Sequence, residues 1–77
     1  MSVQFQLKLF ANLAQYLPAE GEHIDIEPGA SIGEILDAIG LPKEKAKLIF
    51  VNGIKGSLET PLQGGERVGI FPPVAGG

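Results

Sequence analysis

One segment in the middle of the chain has a full set of helix signals. Ser31 and Glu34 have the spacing of a capping box, and Gly40 is the residue type that most often ends a helix. Between them, apolar residues recur on one helical face, at Ile32, Ile35, Leu36 and Ile39. With 77 residues, the chain is near the lower size limit for independent folding and has room for one domain. One main helix in such a chain can cover one face of a β-sheet, which predicts an α+β fold.

Four other segments have the spacing or composition of β-strands, and they cover residues 3–9, 23–27, 48–51 and 68–71. The first two alternate apolar and polar residues, which is the period of a strand with one buried face, and they could pair antiparallel. The third is a short apolar run typical of a central strand. Asn52-Gly53 after it favours a tight reversal into Ile54-Lys55.

The remaining segments predict short connections. Residues 11–17 have helical spacing, with Asn12 as a possible cap and Pro18 as the end of the run. The charged run at 43–47 predicts a solvated turn of helix without a functional role. Residues 20–22 and 63–66 predict turns, and we expect an irregular stretch at 58–62.

This order of elements suits a β-grasp, a mixed sheet covered by one main helix. In that fold the last strand lies centrally beside the first and holds the root of the C-terminal tail. We therefore predict one domain over residues 1–77, in which 72–77 form a flexible reactive tail.

Composition argues against several functional classes. The formal net charge is −3 and the few Lys and Arg are scattered, so we expect no nucleic-acid partner. The absence of cysteine excludes disulfides, cysteine-ligated metals and a thiol nucleophile. His23 is the single histidine, and we expect it at the surface and predict no metal site, because metal sites need several converging ligands. No apolar run is long enough for a membrane span and no signal-like segment opens the chain, so we expect a cytoplasmic protein without a membrane partner.

The last six residues are the segment most suited to chemistry. Pro72-Pro73 favours an extended backbone and lacks amide donors, so the tail should leave the last strand stiffly. The side chains of Val74 and Ala75 are small, and Gly76-Gly77 has no Cβ. The end of the chain can therefore pass through a narrow channel that presents the Gly77 carboxylate. The alternative is a frayed end in which the diglycine has no function.

Motifs at both ends of the chain resemble the ubiquitin-like sulfur-carrier family that includes MoaD, the small subunit of molybdopterin synthase, and ThiS. Near the start, the matching motif is Leu9-Phe10-Ala11 leading into Leu13. Towards the end, the matching motifs are Thr60-Pro61-Leu62, Gly64-Gly65-Glu66-Arg67-Val68 and Phe71-Pro72-Pro73-Val74-Ala75-Gly76-Gly77.

The resemblance implies that Gly77 is the reactive residue. A MoeB-like adenylating enzyme would use ATP to form an acyl adenylate at Gly77, and a sulfur donor such as a persulfide sulfurtransferase would convert it to a thiocarboxylate. A MoaE-like large subunit of molybdopterin synthase would receive residues 72–77 and transfer the sulfur to the pyranopterin precursor of the molybdenum cofactor. The chain would bind no stable cofactor and would supply no catalytic side chain, only the sulfur-donating subunit of that complex.

Aromatic residues near the tail suggest where such partners bind. Phe10 is out of phase with the buried side of the first strand, and Phe71 lies at the root of the tail. The alternative is that both residues close the bottom of the core. The resemblance favours a partner-binding surface that also includes Leu62.

Three functional interpretations stay open at this point. The first is a sulfur carrier for molybdopterin or for a tungsten cofactor. The second is a ThiS-like carrier that feeds another pathway, such as thiamin or cysteine synthesis. The third is a ubiquitin-like protein modifier or a plain interaction module.

Overall fold

The computed structural model describes residues 2–17 and 22–73. Predictions that involve Pro18, the start of the turn at 20–22 and the tail residues Val74, Ala75, Gly76 and Gly77 lie outside the described residues. The strands are β1 (Val3–Leu9), β2 (His23–Ile26), β3 (Ala30–Ser31), β4 (Leu48–Val51), β5 (Ile54–Lys55), β6 (Pro61–Leu62) and β7 (Arg67–Phe71). The α-helix α1 covers Ile32–Ile39, and 3₁₀ helices cover Ala11–Tyr16 and Lys43–Lys45.

The main sheet has five strands in the order β2-β1-β7-β4-β5. β1 pairs antiparallel with β2 and parallel with β7, and β4 pairs antiparallel with both β7 and β5. The last strand is therefore central and lies beside the first, as the element order predicted. The mixed sheet covered by one main helix confirms the β-grasp.

A second, two-stranded sheet joins β3 to β6, and the sequence did not predict it. Ala30 lies opposite Leu62, and Ser31 lies opposite Pro61, in antiparallel register. The expectation of an irregular stretch at 58–62 was therefore wrong in part. A strand of two residues is too short to show alternation, so its pairing becomes visible only in the folded chain.

Helix α1 begins and ends as its local signals predicted. The Ser31 amide donates to Glu34 Oε1 at 2.9 Å, and the Glu34 amide donates to Ser31 Oγ at 3.2 Å, which completes the capping box. Gly40 follows the last turn with φ of 81°, the left-handed conformation that glycine adopts with little cost.

The segment after β1 differs from the predicted helix in its cap and its type. It is a 3₁₀ helix whose N-cap is Phe10 without a side-chain bond, so the assignment of Asn12 as the cap was wrong. Ala11 adopts φ of 55°, and this left-handed residue turns the chain directly out of the strand. The helix starts at Ala11, two residues earlier than an Asn12 cap requires.

One hydrophobic core lies between α1 and the inner face of the main sheet. Its buried members are Phe5, Leu7, Leu9, Leu13, Ile32, Ile35, Leu36, Leu41, Ile49, Leu62, Val68 and Ile70. Within residues 2–17 and 22–73, no polar or charged residue is fully buried. None of the helices in those ranges has the length and apolar character needed to traverse a lipid bilayer.

Candidate docking face and root of the tail

The root of the tail is fixed by hydrogen bonds that continue to the end of β7. Phe71 lies opposite Leu48 in the ladder, and its carbonyl accepts from the Lys47 amide at 2.9 Å. On the other side, the Phe10 amide donates to the Ile70 carbonyl at 3.2 Å. Because Pro72 has no amide donor, the ladder cannot continue through it. The chain therefore leaves the sheet from a strand that is held on both sides.

Three aromatic side chains form a cluster on the outer face of the sheet, beside this root. The rings of Phe10 and Phe71 stack with centroids 4.2 Å apart and planes 2° apart. The ring of Phe50 meets Phe71 edge to face at 5.9 Å. We call Phe10, Phe50 and Phe71 the aromatic patch. Phe10 is 38% exposed, so it belongs to the surface and does not close the core.

The structure corrects the predicted partner-binding surface at two residues, Leu62 and Phe50. Leu62 has an exposed fraction of 0% and packs in the core, so its assignment to a partner-binding surface was wrong. Its place in β6 opposite Ala30 turns the side chain inward. Phe50 was missed, although its neighbour Ile49 is buried and strand alternation sends adjacent side chains to opposite faces.

A groove of about 310 Å³ opens next to the aromatic patch. Lys8, Gly53, Arg67 and Gly69 contribute to its walls and floor together with the aromatic rings. Arg67, Gly69 and Phe71 alternate with buried residues along β7, which places them on the outer face together. The patch is thus one side of a concave surface that an apolar group could enter.

A second groove, of about 460 Å³, lies at the root of the tail. Ala11, Asn12 and Lys45 line it, as do Pro72 and Pro73. Lys45 Nζ donates to the Tyr16 hydroxyl at 3.3 Å, which links the two 3₁₀ helices at this end of the molecule. Pro72 is half-buried and Pro73 is exposed, so exposure increases along the described part of the tail.

The start of β7 is also fixed, through the turn that precedes it. Burial raises the pKa of Glu66, but hydrogen bonds from the Gln63, Gly64 and Glu66 backbone amides outweigh it, and the pKa lies below its usual value. The Glu66 oxygens accept from the Gln63 and Gly64 amides at 2.8 Å each. At the sheet edge, a hydrogen bond from Gln6 lowers the pKa of Glu22, and Lys8 adds to the effect.

Residues 2–17 and 22–73 provide surfaces that a partner could contact rather than reactive groups. Within residues 2–17 and 22–73, no three His, Asp or Glu side chains lie close enough to hold a metal ion. His23 is exposed on β2, as predicted. The arrangement can bind an apolar partner surface on the outer sheet face and direct the tail from a fixed strand end.

Comparison with known proteins agrees with this geometry. Over 84 aligned positions the chain is 27% identical to small archaeal modifier protein 1 of Haloferax volcanii, covering 91% of this chain and 97% of that protein. A solved Pyrococcus furiosus structure assigned as molybdopterin converting factor, subunit 1, is 30% identical with a TM-score of 0.62, covering 94% of this chain and 99% of that one.

A further solved structure is small archaeal modifier protein 1 of Methanosarcina acetivorans. It is 25% identical with a TM-score of 0.61, and the match covers 100% of this chain and 99% of that one. The model of the ThiS family matches residues 7–77. Because that match extends from the first strand to the diglycine, the chain belongs to the ThiS family and is a ubiquitin-like, β-grasp protein.

Proposed function

We propose that the protein is a sulfur carrier that acts as the small subunit of a molybdopterin synthase, with Gly77 as the reactive residue. The observation that carries this proposal is the rigid root of the tail, because β7 is hydrogen-bonded on both sides up to Phe71. The name of the Pyrococcus furiosus relative, a molybdopterin converting factor subunit, supports the choice of pathway.

The chemistry starts from an unreactive carboxylate. A Gly77 oxygen attacks the α-phosphate of ATP and pyrophosphate leaves, which gives the acyl adenylate. The terminal sulfur of a protein persulfide then attacks the acyl carbon and AMP leaves. A thiol cleaves the resulting acyl disulfide, so that Gly77 keeps one sulfur as a thiocarboxylate and the two thiols end as a disulfide. The soft sulfur is nucleophilic at neutral pH, by the logic that makes thiolates reactive.

In this scheme the chain contributes position, while its partners supply catalysis. An adenylating enzyme and a synthase large subunit would each admit Val74, Ala75 and Gly76 into a channel that ends at the reacting carbonyl. Residues without large side chains fit such a channel. The aromatic patch would hold the base of the tail against either partner, since aromatic anchors are common at the centres of interfaces.

A mass measurement on the intact chain tests the proposal. We expect incubation with an adenylating enzyme, ATP, a persulfide donor and a thiol to add the mass difference between sulfur and oxygen, in the C-terminal peptide. Omitting ATP is the control that should leave the mass unchanged. An unchanged mass with an enzyme that adenylates another carrier would refute the sulfur-carrier proposal.

A second candidate function is protein modification, and the names of the two archaeal modifier relatives favour it. In that case a lysine amine of another protein would attack the Gly77 carbonyl of the acyl adenylate, AMP would leave, and an isopeptide bond would form. Arg67 is the last Lys or Arg of the chain, so trypsin digestion of the modified target would leave residues 68–77 on that lysine, which mass spectrometry detects. The sequence of that remnant assigns the mark to this protein. Finding the remnant without any thiocarboxylate would favour modification over sulfur transfer.

A further inference from the structure

Two 3₁₀ helices flank the point at which the tail leaves the sheet. Because β7 lies between β1 and β4, its end is next to the segment that follows β1 and to the segment that precedes β4. The first segment is the 3₁₀ helix Ala11–Tyr16, and the second is the 3₁₀ helix Lys43–Lys45. Residues of both helices line the groove of about 460 Å³ together with Pro72 and Pro73. We call this groove the exit notch, and the two helices are its walls.

A side-chain contact joins the two walls of the exit notch. Lys45 Nζ donates to the Tyr16 hydroxyl at 3.3 Å and lies 5.7 Å from the centroid of the Tyr16 ring. Each wall is also attached to the fold. Leu13 of the first wall is buried in the core, and the Lys47 amide, just after the second wall, donates to the Phe71 carbonyl at 2.9 Å. The contact between Lys45 and Tyr16 therefore limits how far the walls can separate.

Ala11, which lines the exit notch, has a backbone conformation that alanine disfavours. Its φ is 55°, in the left-handed region that glycine adopts at much lower cost. Backbone conformations of this kind cluster at functional sites, where the surrounding structure holds them in place. Alanine at this position gives the notch wall a methyl group and a stiffer backbone than glycine would.

The direction of Pro72 and Pro73 determines where the end of the tail can go. A proline fixes its own φ and restricts the residue before it, so this pair is a stiff link between β7 and residues 74–77. Four extended residues reach about 13 Å, and over that length a change of about 15° in direction moves the end by about 3 Å. A small widening of the exit notch would therefore change the positions that Gly77 can sample.

We propose that the exit notch sets the direction in which the tail leaves the fold, which makes Ala11, Tyr16 and Lys45 positioning residues. They act through the root of the tail and need no contact with a partner. The inference rests on the proposed function, since activation of Gly77 is the reaction that reports the direction of the tail. A tail that already points along an enzyme's channel loses less conformational freedom on entry. Inside the channel the enzyme holds the tail, so the notch affects KM and leaves kcat unchanged.

ATP–pyrophosphate exchange by the adenylating enzyme of the same genome tests the notch, with the full-length carrier as the varied substrate. We expect Lys45→Met and Tyr16→Phe each to raise the KM for the carrier by about threefold without a change in kcat, because a smaller fraction of tails points into the channel. Lys45→Arg keeps a cationic donor and should keep the wild-type KM. Lys43→Met is the matched charge control on the same helix. Lys43 pairs with Asp37 and does not line the notch, so this variant should behave as the wild type does.

A double-mutant cycle shows whether the two side chains act through their contact with each other. If they do, Tyr16→Phe should have no further effect on KM in a chain that already carries Lys45→Met. Additive increases in KM would mean that each side chain meets the enzyme independently, and they would overturn the assignment of Tyr16 and Lys45 as positioning residues.

The variant Ala11→Gly separates positioning from stability. Because glycine tolerates positive φ, this variant should melt at or above the wild-type temperature. We nonetheless expect its KM to rise by about threefold, since the wall of the notch loses a methyl group and gains backbone freedom. A wild-type KM for both Ala11→Gly and Lys45→Met would overturn the inference. So would an increase in KM that occurs only in variants with a lower melting temperature.

The wild-type chain in the same assay separates this inference from the proposed function. Carrier-dependent exchange with the wild type, together with an unchanged KM in all the notch variants, would refute the inference and leave the sulfur-carrier proposal standing. Absence of exchange with the wild type, with an enzyme that activates another carrier, would refute the proposed function itself.

Discussion

At the scale of single residues, Glu66 shows how one carboxylate can hold a turn in place. Its oxygens accept backbone hydrogen bonds from Gln63 and Gly64, and its pKa lies below the ordinary value of 4.5. Because the pKa is lower in the folded chain than in the unfolded chain, the ionised group stabilises the fold above the unfolded pKa. That contribution is lost as the pH falls through the folded-state pKa.

We therefore expect acid to destabilise the wild type more than Glu66→Gln. The free energy of unfolding, measured by urea denaturation between neutral pH and about pH 3, should fall less steeply for the variant. Glu59→Gln removes an exposed carboxylate from another loop and serves as the control. Parallel pH profiles for Glu66→Gln and the wild type would show that the turn does not depend on the carboxylate.

Gly64 occupies the same turn and has both a conformational and a steric reason to be glycine. Its φ is 120°, and an added Cβ would lie 2.8 Å from Val3 Cβ, closer than real Cβ contacts. We expect Gly64→Ala to destabilise the protein by about 2 kcal/mol or more, since strain and overpacking add.

Gly65→Ala is the matched control for that measurement. Gly65 also has positive φ, 83°, but a Cβ there would meet nothing within 4 Å. Gly65→Ala should therefore destabilise the protein only through backbone strain, by about 1 kcal/mol. Equal losses at both positions in urea denaturation would mean that the contact with Val3 relaxes freely.

At the scale of elements, Leu62 in β6 is a core residue, whereas Phe10 in the aromatic patch is a surface residue. Leu62→Ala should destabilise the protein by about 2 to 5 kcal/mol, because it empties a fully buried site. Phe10→Ser should cost about 1 kcal/mol, the value of a stacked ring pair at a partly exposed position.

Partner binding should respond to Phe10→Ser much more strongly than stability does. Loss of an anchoring aromatic typically costs about 2 kcal/mol of binding, roughly thirtyfold in affinity. Calorimetric titration against the synthase large subunit measures it, with thermal melts run on the same samples. Unchanged affinity with a collapsed melting temperature would place Phe10 among the structural residues and move the docking face elsewhere.

At the scale of the whole molecule, folding and reactivity should be separable, because the core described here lies within residues 5–70. We expect Gly77→Ala to leave the melting temperature unchanged, since terminal residues contribute little to stability. The same substitution should abolish thiocarboxylate formation, because a methyl group beside the carbonyl obstructs a narrow channel. Normal thiocarboxylate yield from Gly77→Ala would show that no partner excludes a methyl group at residue 77.

The sequence by itself determined the elements that depend on neighbours along the chain. The Ser31–Glu34 capping box with Gly40, and the Asn52-Gly53 reversal with φ of 53° and 81°, each form within a few residues. Alternation along β1 also determined which of its faces is buried. The order of these elements was enough to predict the central place of β7 beside β1.

Only the tertiary structure decided which distant residues share a surface. Leu62 is buried because β6 pairs with β3. Phe50 of β4 and Phe10, which follows β1, both meet Phe71, because β7 lies between β4 and β1. Neither pairing leaves a local signal. Lys8 and Arg67 are also far apart along the chain. The parallel pairing of β1 with β7 brings them to one groove. Spacing along the chain specifies local hydrogen bonds, whereas contacts between strands far apart in sequence form only when burial of the core brings those strands together.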